Sequence, residues 1–288
     1  MKRNRLSTIL CITTAASLHA AEISHDVETS YNASAGARTN LGNSHNGDIS
    51  EQNTHFQYVL GYAVPDRPIV RAGVAYDRFD FGLPRLAQVP NTLQSLNLVL
   101  GLDLKISDVL IRLETQPGFY GNFRDIGTRD FNAPVVIGLS WLVSKDLQWI
   151  GGISIDANRN FPVLGAIGVR WKVADRWVLN AVPPDPRLEF KATDDLTLFG
   201  GGHILGSTYR VDGEFGSSRG NRKLNHAVVD FTEFRVGGGL EWKINRFATL
   251  DMELGYMAYR DFDFHRADEN FETKSGSLYG QVGVNWRF

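Results

Sequence analysis

The last eleven residues, 278–288, read LYGQVGVNWRF, and their side chains alternate in polarity. One parity holds Val282, Val284, Trp286 and Phe288, and the other holds Gln281, Gly283, Asn285 and Arg287. Because successive side chains of a strand point to opposite faces, this segment predicts a strand with one apolar and one polar surface. A final strand of this kind, ending on an aromatic residue, is typical of bacterial outer-membrane β-barrels. Phe288 is then the expected signal for barrel insertion.

The same two-residue period recurs along most of the chain. Residues 96–104 place a leucine at every second position, and similar runs occupy residues 56–62, 109–114, 135–142, 167–172 and 250–256. A helix would need apolar residues three or four positions apart, so these runs predict strands. We therefore expect an all-β protein in which residues 21–288 form one single-domain antiparallel transmembrane β-barrel.

The connectors between these runs alternate in length and give the number of strands. Short connectors fall at residues 64–68, 105–108, 144–147, 173–176, 193–195 and 244–246, and longer ones at 38–50, 80–90, 120–130, 212–225 and 261–272. Short periplasmic turns and long outer loops are usual in such barrels. Six short turns, with both termini periplasmic, predict 14 strands. The number falls to 12 if the hairpin around Pro183 and Pro184 fails to span, because its arms hold about six residues each and a spanning strand needs about 9–11.

The amino terminus predicts export. Lys2, Arg3 and Arg5 precede an apolar stretch over residues 6–18, and small residues follow at Ala20 and Ala21. This pattern predicts that residues 1–20 are a cleavable signal peptide, removed after Ala20 or Ala21. A membrane anchor needs about 20 apolar residues, which is more than this stretch provides. The expected location is the bacterial outer membrane.

Composition narrows the function classes. Cys11 is the only cysteine and lies in the expected signal peptide, so we expect neither disulfides nor a cysteine nucleophile in the mature chain. With 30 Lys and Arg against 32 Asp and Glu, the formal net charge is -2, and no overall charge favours nucleic acid. The mean hydropathy of -0.20 suits either a soluble protein or a barrel, because a barrel strand shows lipid only every second residue.

The tryptophans indicate a membrane boundary. All six fall within a few residues of a predicted short turn or of the carboxyl terminus: Trp141, Trp149, Trp171, Trp177, Trp242 and Trp286. Indole rings prefer the headgroup level of a bilayer, so the pattern predicts one girdle at the periplasmic interface. The alternative is a set of core tryptophans in a soluble β-sandwich, which would not be confined to one end of the strands.

A central block carries a family resemblance. PPDPRLEF at residues 183–190, LTLFGGG at 196–202 and STYRV at 207–211 resemble a family of uncharacterised outer-membrane β-barrel proteins of environmental bacteria. The likeness runs from about Leu93 to the carboxyl terminus. It implies the barrel fold and an outer-membrane location, and it supplies no substrate and no catalytic residue.

If the apolar parity faces lipid, the opposite parity lines the lumen. The predicted lumen-lining residues are Asp103, Arg112, Glu114, Arg170, Arg235, Glu241, Asp251, Glu253 and Arg287. Charges of both signs suit a water-filled pore, and we expect a passive channel for small polar solutes. The alternative is a structural or surface-interaction barrel, in which the same charges pair internally and fill the lumen. The expected partners are outer-membrane lipids, the barrel-insertion machinery and small polar solutes, and no nucleic acid.

A third hypothesis is an outer-membrane lipid hydrolase. His55, His203 and His226 are candidate bases, and each would need a Ser or Asp within hydrogen-bond distance. The sequence has neither a Gly-x-Ser-x-Gly elbow nor a His-Glu-x-x-His motif. We therefore expect no enzyme activity, no cofactor and no metal site.

Overall fold

The computed structural model describes residues 21–42, 45–84 and 87–288. The predicted signal peptide lies outside these residues. Seventeen strand segments follow one another along the chain: β1 Glu22–Gly42, β2 His45–Ala63, β3 Ile69–Gly82, β4 Thr92–Ile106, β5 Val109–Thr115, β6 Gly118–Gly121, β7 Phe131–Asn132, β8 Val135–Ser144, β9 Leu147–Ile155, β10 Val163–Lys172, β11 Trp177–Ala181, β12 Arg187–Lys191, β13 Leu196–Arg210, β14 Val228–Lys243, β15 Ala248–Phe264, β16 Glu269–Glu272 and β17 Ser277–Arg287. Within the described ranges, no helix is both long enough and apolar enough to cross a bilayer.

The strands form one sheet that closes on itself. β1 pairs antiparallel with β2 along one edge and with β17 along the other. Asp26 of β1, for example, lies opposite Val59 of β2 and Arg287 of β17. First and last strands are therefore neighbours, and the molecule is a closed β-barrel.

Three barrel strands are each built from two segments. Pro117 separates β5 from β6, Pro134 separates β7 from β8, and residues 273–276 separate β16 from β17. Proline has no backbone N–H to donate to a ladder, so the first two interruptions follow from the sequence. Seventeen segments thus make 14 barrel strands, which confirms the larger of the two predicted numbers.

The predicted number of strands depended on the hairpin around Pro183 and Pro184. This hairpin is part of the barrel wall, but its strands are short. β11 and β12 have five residues each, and they pair with β10 and β13 respectively. By contrast β10 has 10 residues and β13 has 15. The hairpin therefore covers only the lower part of the wall between its neighbours.

The six short turns lie at the end of the barrel that holds both termini, called here the turn end; the opposite end is the loop end. The predicted long connector at residues 38–50 is wrong, because β1 continues to Gly42 and β2 begins at His45. These residues pair as a ladder that extends the hairpin beyond its neighbours, and polar residues such as Asn40 and Asn46 are paired within it.

The strands present an apolar outer face. On β4, Leu96, Leu98 and Leu100 are exposed, whereas Ser95 and Asn97 on the opposite parity are buried. The same contrast appears on β15, where Leu254 is 75% exposed. An exposed row of leucines is unfavourable in water, so this outer surface suits contact with lipid.

Candidate functional site: the barrel lumen

An aromatic core fills the loop end of the lumen. Its buried aromatic members are Phe79, Phe81, Tyr120, Tyr209, Phe215, Phe231, Phe262, Phe264 and Phe271, and Leu224 packs with them. Phe215 and Leu224 come from the loop over residues 211–227, and Ala87 and Val89 come from the loop after β3. The rings contact one another, with Phe81 lying 5.0 Å from Phe262 and 5.6 Å from Phe231 between centroids. Two loops therefore fold inward and seal this end with apolar side chains.

A buried charged quartet lies directly beneath this seal. It consists of Glu51, Glu233, Arg235 and Arg260. Arg260 pairs with Glu51 at 2.7 Å and with Glu233 at 2.8 Å, and its guanidinium lies 5.8 Å from the Phe81 ring centroid. All four side chains are 0–3% exposed, so each charge depends on the opposite charges beside it.

Two histidine–aspartate pairs face the lumen below the quartet. His55 of β2 bonds Asp77 of β3 at 2.7 Å through Nδ1, and His203 of β13 bonds Asp185 through the same ring atom. Asp185 belongs to the tip of the β11–β12 hairpin. Side chains at this level keep contact with solvent: Asp77 is 29% exposed and His203 is 34% exposed.

Two ion-pair networks line opposite walls nearer the turn end. On one wall Asp103 pairs with Arg112 at 2.7 Å and with Arg71 at 3.6 Å, and Arg71 also pairs with Glu114. On the other wall the network joins Arg170, Arg187, Glu189 and Glu241, with Glu189 lying 3.1 Å from Arg187 and 3.5 Å from Arg170. These charges satisfy one another along the walls.

The remaining inward carboxylates have weaker partners. Asp251 accepts a hydrogen bond from Asn285 at 2.8 Å, and Glu253 accepts one from the Tyr279 hydroxyl. Asp77 and Asp185 have the histidine partners described above. Among the described residues, Asp77, Asp185, Asp251 and Glu253 therefore face inward without an ion pair to Lys or Arg.

The nine predicted lumen residues are thus distributed over several groups. Asp103, Arg112 and Glu114 share one wall network, Arg170 and Glu241 share the other, and Arg235 belongs to the buried quartet. Asp251 lies opposite Glu241, and Glu253 lies two residues farther from the turn end. Arg287 lies at the turn-end rim, where it pairs with Asp26 and is 45% exposed.

Sequence reasoning missed three members of the quartet. Glu51 follows a stretch predicted to be a loop, and Glu233, which shares the parity of Arg235, is not among the predicted lumen-lining residues. Arg260 lies on the parity that predicts lipid contact, but a register shift between Met257 and Tyr259, opposite Arg235 and Phe234, places it on the inward face. A β-bulge reverses the parity of all later residues, and no local signal in the sequence marks it.

The hydrolase hypothesis required a Ser or Asp within hydrogen-bond distance of a candidate histidine, and His55 and His203 each have an aspartate there. Asp77 and Asp185 orient His55 and His203, as the acid of a catalytic triad would. A nucleophilic serine would have to bond the other ring nitrogen, but Ser95 donates instead to Asp77, at 3.4 Å. Within the described ranges no group of three or more His, Cys, Asp or Glu is arranged to hold a metal ion.

The predicted girdle tryptophans all project from the outer face near the turn end. Their exposed fractions lie between 39% and 49% for Trp141, Trp149, Trp171, Trp177, Trp242 and Trp286. Trp141 and Trp149 are paired neighbours on β8 and β9, and Trp286 is opposite Ala248, the first residue of β15. These six residues, called here the turn-end ring, lie on β8, β9, β10, β11, β14 and β17, and the described residues of β1 to β5 carry no tryptophan.

Comparison with known proteins gives structural neighbours only. No family model and no curated relative matches the chain. The toluene transporter TodX of Pseudomonas putida has 10% identity and a TM-score of 0.46, with 91% of this chain and 89% of that chain covered. An outer membrane channel of Pseudomonas putida F1 has 12% identity and a TM-score of 0.45, covering 92% and 95%. A FadL homologue of Pseudomonas aeruginosa has 9% identity and a TM-score of 0.38, covering 92% and 90%.

One of these structures is described as a toluene transporter and another as an outer membrane channel. Their identities and TM-scores are too low to transfer a substrate. The barrel architecture of this chain rests on its own strand pairing, described above.

Proposed function

We propose that this protein is a passive channel of the bacterial outer membrane for small polar solutes. The observation that carries the proposal is the partly solvent-exposed, polar middle of the lumen. His203 at 34%, Asp77 at 29% and Asp185 at 25% keep contact with water although they face inward. Polar side chains around a solvated passage set the preference of a pore for the solutes that cross it.

The outer surface supports the membrane location. An apolar outer face meets lipid, and the ring of six tryptophans marks the periplasmic boundary of the bilayer in this proposal. Outer-membrane lipids are then direct partners of the barrel. The barrel-insertion machinery would recognise the last strand through Phe288.

Export by a cleavable signal peptide belongs to the same proposal. The mass of protein extracted from outer membranes tests it, because cleavage after Ala20 or Ala21 gives one of two expected masses. Retention of residues 1–20 in that protein would contradict cleavage.

The filled-lumen barrel is the second candidate, and the aromatic seal favours it. A barrel closed by Phe81, Phe231 and Phe262 at the loop end has no straight polar passage along its axis. In that case the loops would carry the function by contacting other molecules outside the cell.

Conductance in planar bilayers separates the two candidates. A channel gives discrete current steps, and Ser30→Trp should reduce their size because Ser30 lies opposite Gly283 and His55 on the inward face. Tyr31→Trp is the matched control, since Tyr31 is 43% exposed on the outer face. Folded protein without current steps, or equal effects of the two variants, would contradict the channel.

A further inference from the structure

The barrel wall is incomplete between β10 and β13. The ladder between β10 and β11 begins at Val169, opposite Ala181, and continues only toward the turn end. On the other side of the hairpin, the ladder between β12 and β13 ends where Arg187 meets Gly201. Only the carbonyls of Pro186 and Pro184 continue it, each accepting a backbone N–H of β13 at 2.9 Å. Above the hairpin tip, no strand of the described residues lies between β10 and β13.

The wall closes again at the loop end. Thr208 of β13 donates to Asp156, which follows β9, at 2.6 Å. Asn132 of β7 donates to both residues. Farther up, Gly121 of β6 pairs in parallel with Arg210 of β13. The result is a bounded opening, the side window, enclosed by residues 163–168 of β10, 182–186 of the hairpin tip and 204–208 of β13.

The side window faces the bilayer in a membrane-embedded barrel. Trp171 of β10 and Trp177 of β11 belong to the turn-end ring, and Val163 lies eight residues above Trp171. A strand rising about 3.3 Å per residue and tilted by about 40° climbs roughly 20 Å over that length. The apolar band of such barrels is about 25 Å tall. By the same rise Gly168, at the lower edge of the window, lies about 8 Å above Trp171, so the window spans the middle of the apolar band and reaches into the half nearer the loops, which is the outer leaflet.

Both faces of β10 are exposed along this window. Ile167 points outward and is 74% exposed, and Leu164 on the inward parity is 47% exposed. Leu164 lies opposite Ser154, and Gly168 of the same parity lies opposite Ile150, which is only 3% exposed. The inward face of the wall is therefore buried below the window and accessible beside it.

The lining changes from apolar to acidic over a short distance. Val136, Leu164 and Ala166 provide an exposed apolar inner surface beside the window, and Arg159, from the loop between β9 and β10, donates to Ser154 at its edge at 3.2 Å. Asp185, on the lower rim, binds His203, and Asp77 lies at the same level of the lumen with a histidine partner. An apolar group is favoured against the surface formed by Leu164 and Ala166. A carboxylate or phosphate head group is disfavoured near Asp185 and Asp77, because like charges repel in a confined space.

We propose that the side window admits an amphipathic solute from the outer leaflet, with its apolar body against Leu164 and Ala166 and an uncharged or cationic head group toward Asp185. The proposal rests on the membrane location given under the proposed function. It does not need current through the loop end, so the aromatic seal and side entry are compatible.

Quenching by lipid-borne nitroxides tests the window itself. In a Cys11→Ser background, a small fluorophore is attached at Leu164→Cys, and quencher-labelled phospholipid is included in vesicles that hold the full barrel. We expect strong loss of fluorescence although residue 164 faces inward. Ile167→Cys, which faces outward, is the positive control, and Ser140→Cys, on the buried inward face of β8, is the negative control. Protection of residue 164 equal to that of residue 140 would overturn the proposal, whatever the conductance experiment gives.

Binding of three ten-carbon amphiphiles tests the solute class. Decylamine, decanol and decanoate are titrated into nanodiscs with and without the barrel, and the empty-disc signal is subtracted. We expect saturable binding of the amine and the alcohol, and loss of most binding for decanoate. Ala166→Trp should abolish binding because it fills the inner side of the window, whereas Ile167→Trp, one residue away and facing lipid, should not. Preference for decanoate, or equal binding by Ala166→Trp, would overturn the assignment.

Discussion

Arg235 of β14 and Glu51 of β2 lie 2.9 Å apart, although β15, β17 and β1 separate their strands around the barrel wall. Such a contact can form only through the interior of the cylinder. Because Arg260 of β15 pairs with the same glutamate, the quartet connects the first hairpin of the barrel to two of its last strands. The quartet thus links parts of the chain that are far apart in sequence.

Removing Arg235 should therefore destabilise the barrel strongly. Arg235→Met leaves Glu51 and Glu233 buried with Arg260 as their remaining cation, and losing one partner of a buried ionic group costs about 3–5 kcal/mol. Urea unfolding of the barrel in lipid vesicles measures the change. Arg287→Met is the matched control, because its pair with Asp26 is exposed at the rim and is worth at most about 1 kcal/mol. Equal effects of the two variants would contradict a structural role for the quartet.

Loop closure over the seal should depend on Arg219. Its guanidinium donates to the carbonyl of Ala87 at 3.0 Å and to Asn91 at 2.7 Å, and it lies 4.2 Å from the Phe215 ring centroid. Arg219→Ala removes hydrogen bonds from a charged donor, worth about 1.5–3 kcal/mol each, that tie the two sealing loops together.

Trypsin provides the measurement, since Lys223 lies in the same loop. We expect faster cleavage after Lys223 in Arg219→Ala than in the wild-type barrel. Arg222→Ala removes the same charge from an exposed site three residues away and should leave the rate at Lys223 near that of the wild type. A rate unchanged by Arg219→Ala would show that the loops are held by the apolar contacts alone.

A charge on the outer face should be costly only where lipid covers it. Leu254 is 75% exposed near the middle of β15, and an arginine near the bilayer midplane of a barrel costs about 2–4 kcal/mol. Leu254→Arg should lower the unfolding free energy in vesicles by that amount. Ile126→Arg, in an exposed loop, should change it by less than about 0.5 kcal/mol. Similar small effects at both sites would argue against lipid contact on this face.

Phe288 should matter for assembly more than for stability. Its backbone exchanges hydrogen bonds with His25 at 2.7 and 3.0 Å, and its ring stacks on the His25 ring at 5.1 Å. Phe288→Ala keeps the backbone bonds, so we expect refolded protein of nearly wild-type stability but much less barrel in the outer membrane of cells. Phe247→Ala, at the same rim, is the control. Normal membrane levels of Phe288→Ala would contradict its role as an insertion signal.

The fold could be predicted from the sequence because the residues of each barrel strand alternate between an apolar face toward lipid and a polar face toward the lumen. The leucines from residue 96 to residue 104 and the apolar parity of residues 282–288 each specify a strand face without reference to the rest of the chain. The number of strands followed from the short turns for the same reason. Only the hairpin at Pro183 left both 12 and 14 strands possible, because its two strands have five residues each.

The arrangement of the lumen could not be predicted in the same way. The bulge near Met257 turns Arg260 inward, and the seal depends on Phe215 and Leu224, which reach the barrel from a loop. The side window is bounded at the loop end by a parallel contact between Gly121 and Arg210, residues distant in sequence. Each of these features depends on tertiary contacts, which alternation in polarity does not record.

Labelling of two neighbouring residues on β17 tests the barrel most directly. In the Cys11→Ser background, Gln281→Cys places a thiol on the inward face, and Val282→Cys places one on the outer face, where Val282 is 40% exposed. We predict that a charged, membrane-impermeant maleimide modifies residue 281 in lipid vesicles and leaves residue 282 unmodified, and that both react after unfolding in urea. Modification of residue 282 with protection of residue 281, or equal modification of both in the bilayer, would contradict a barrel with water inside and lipid outside.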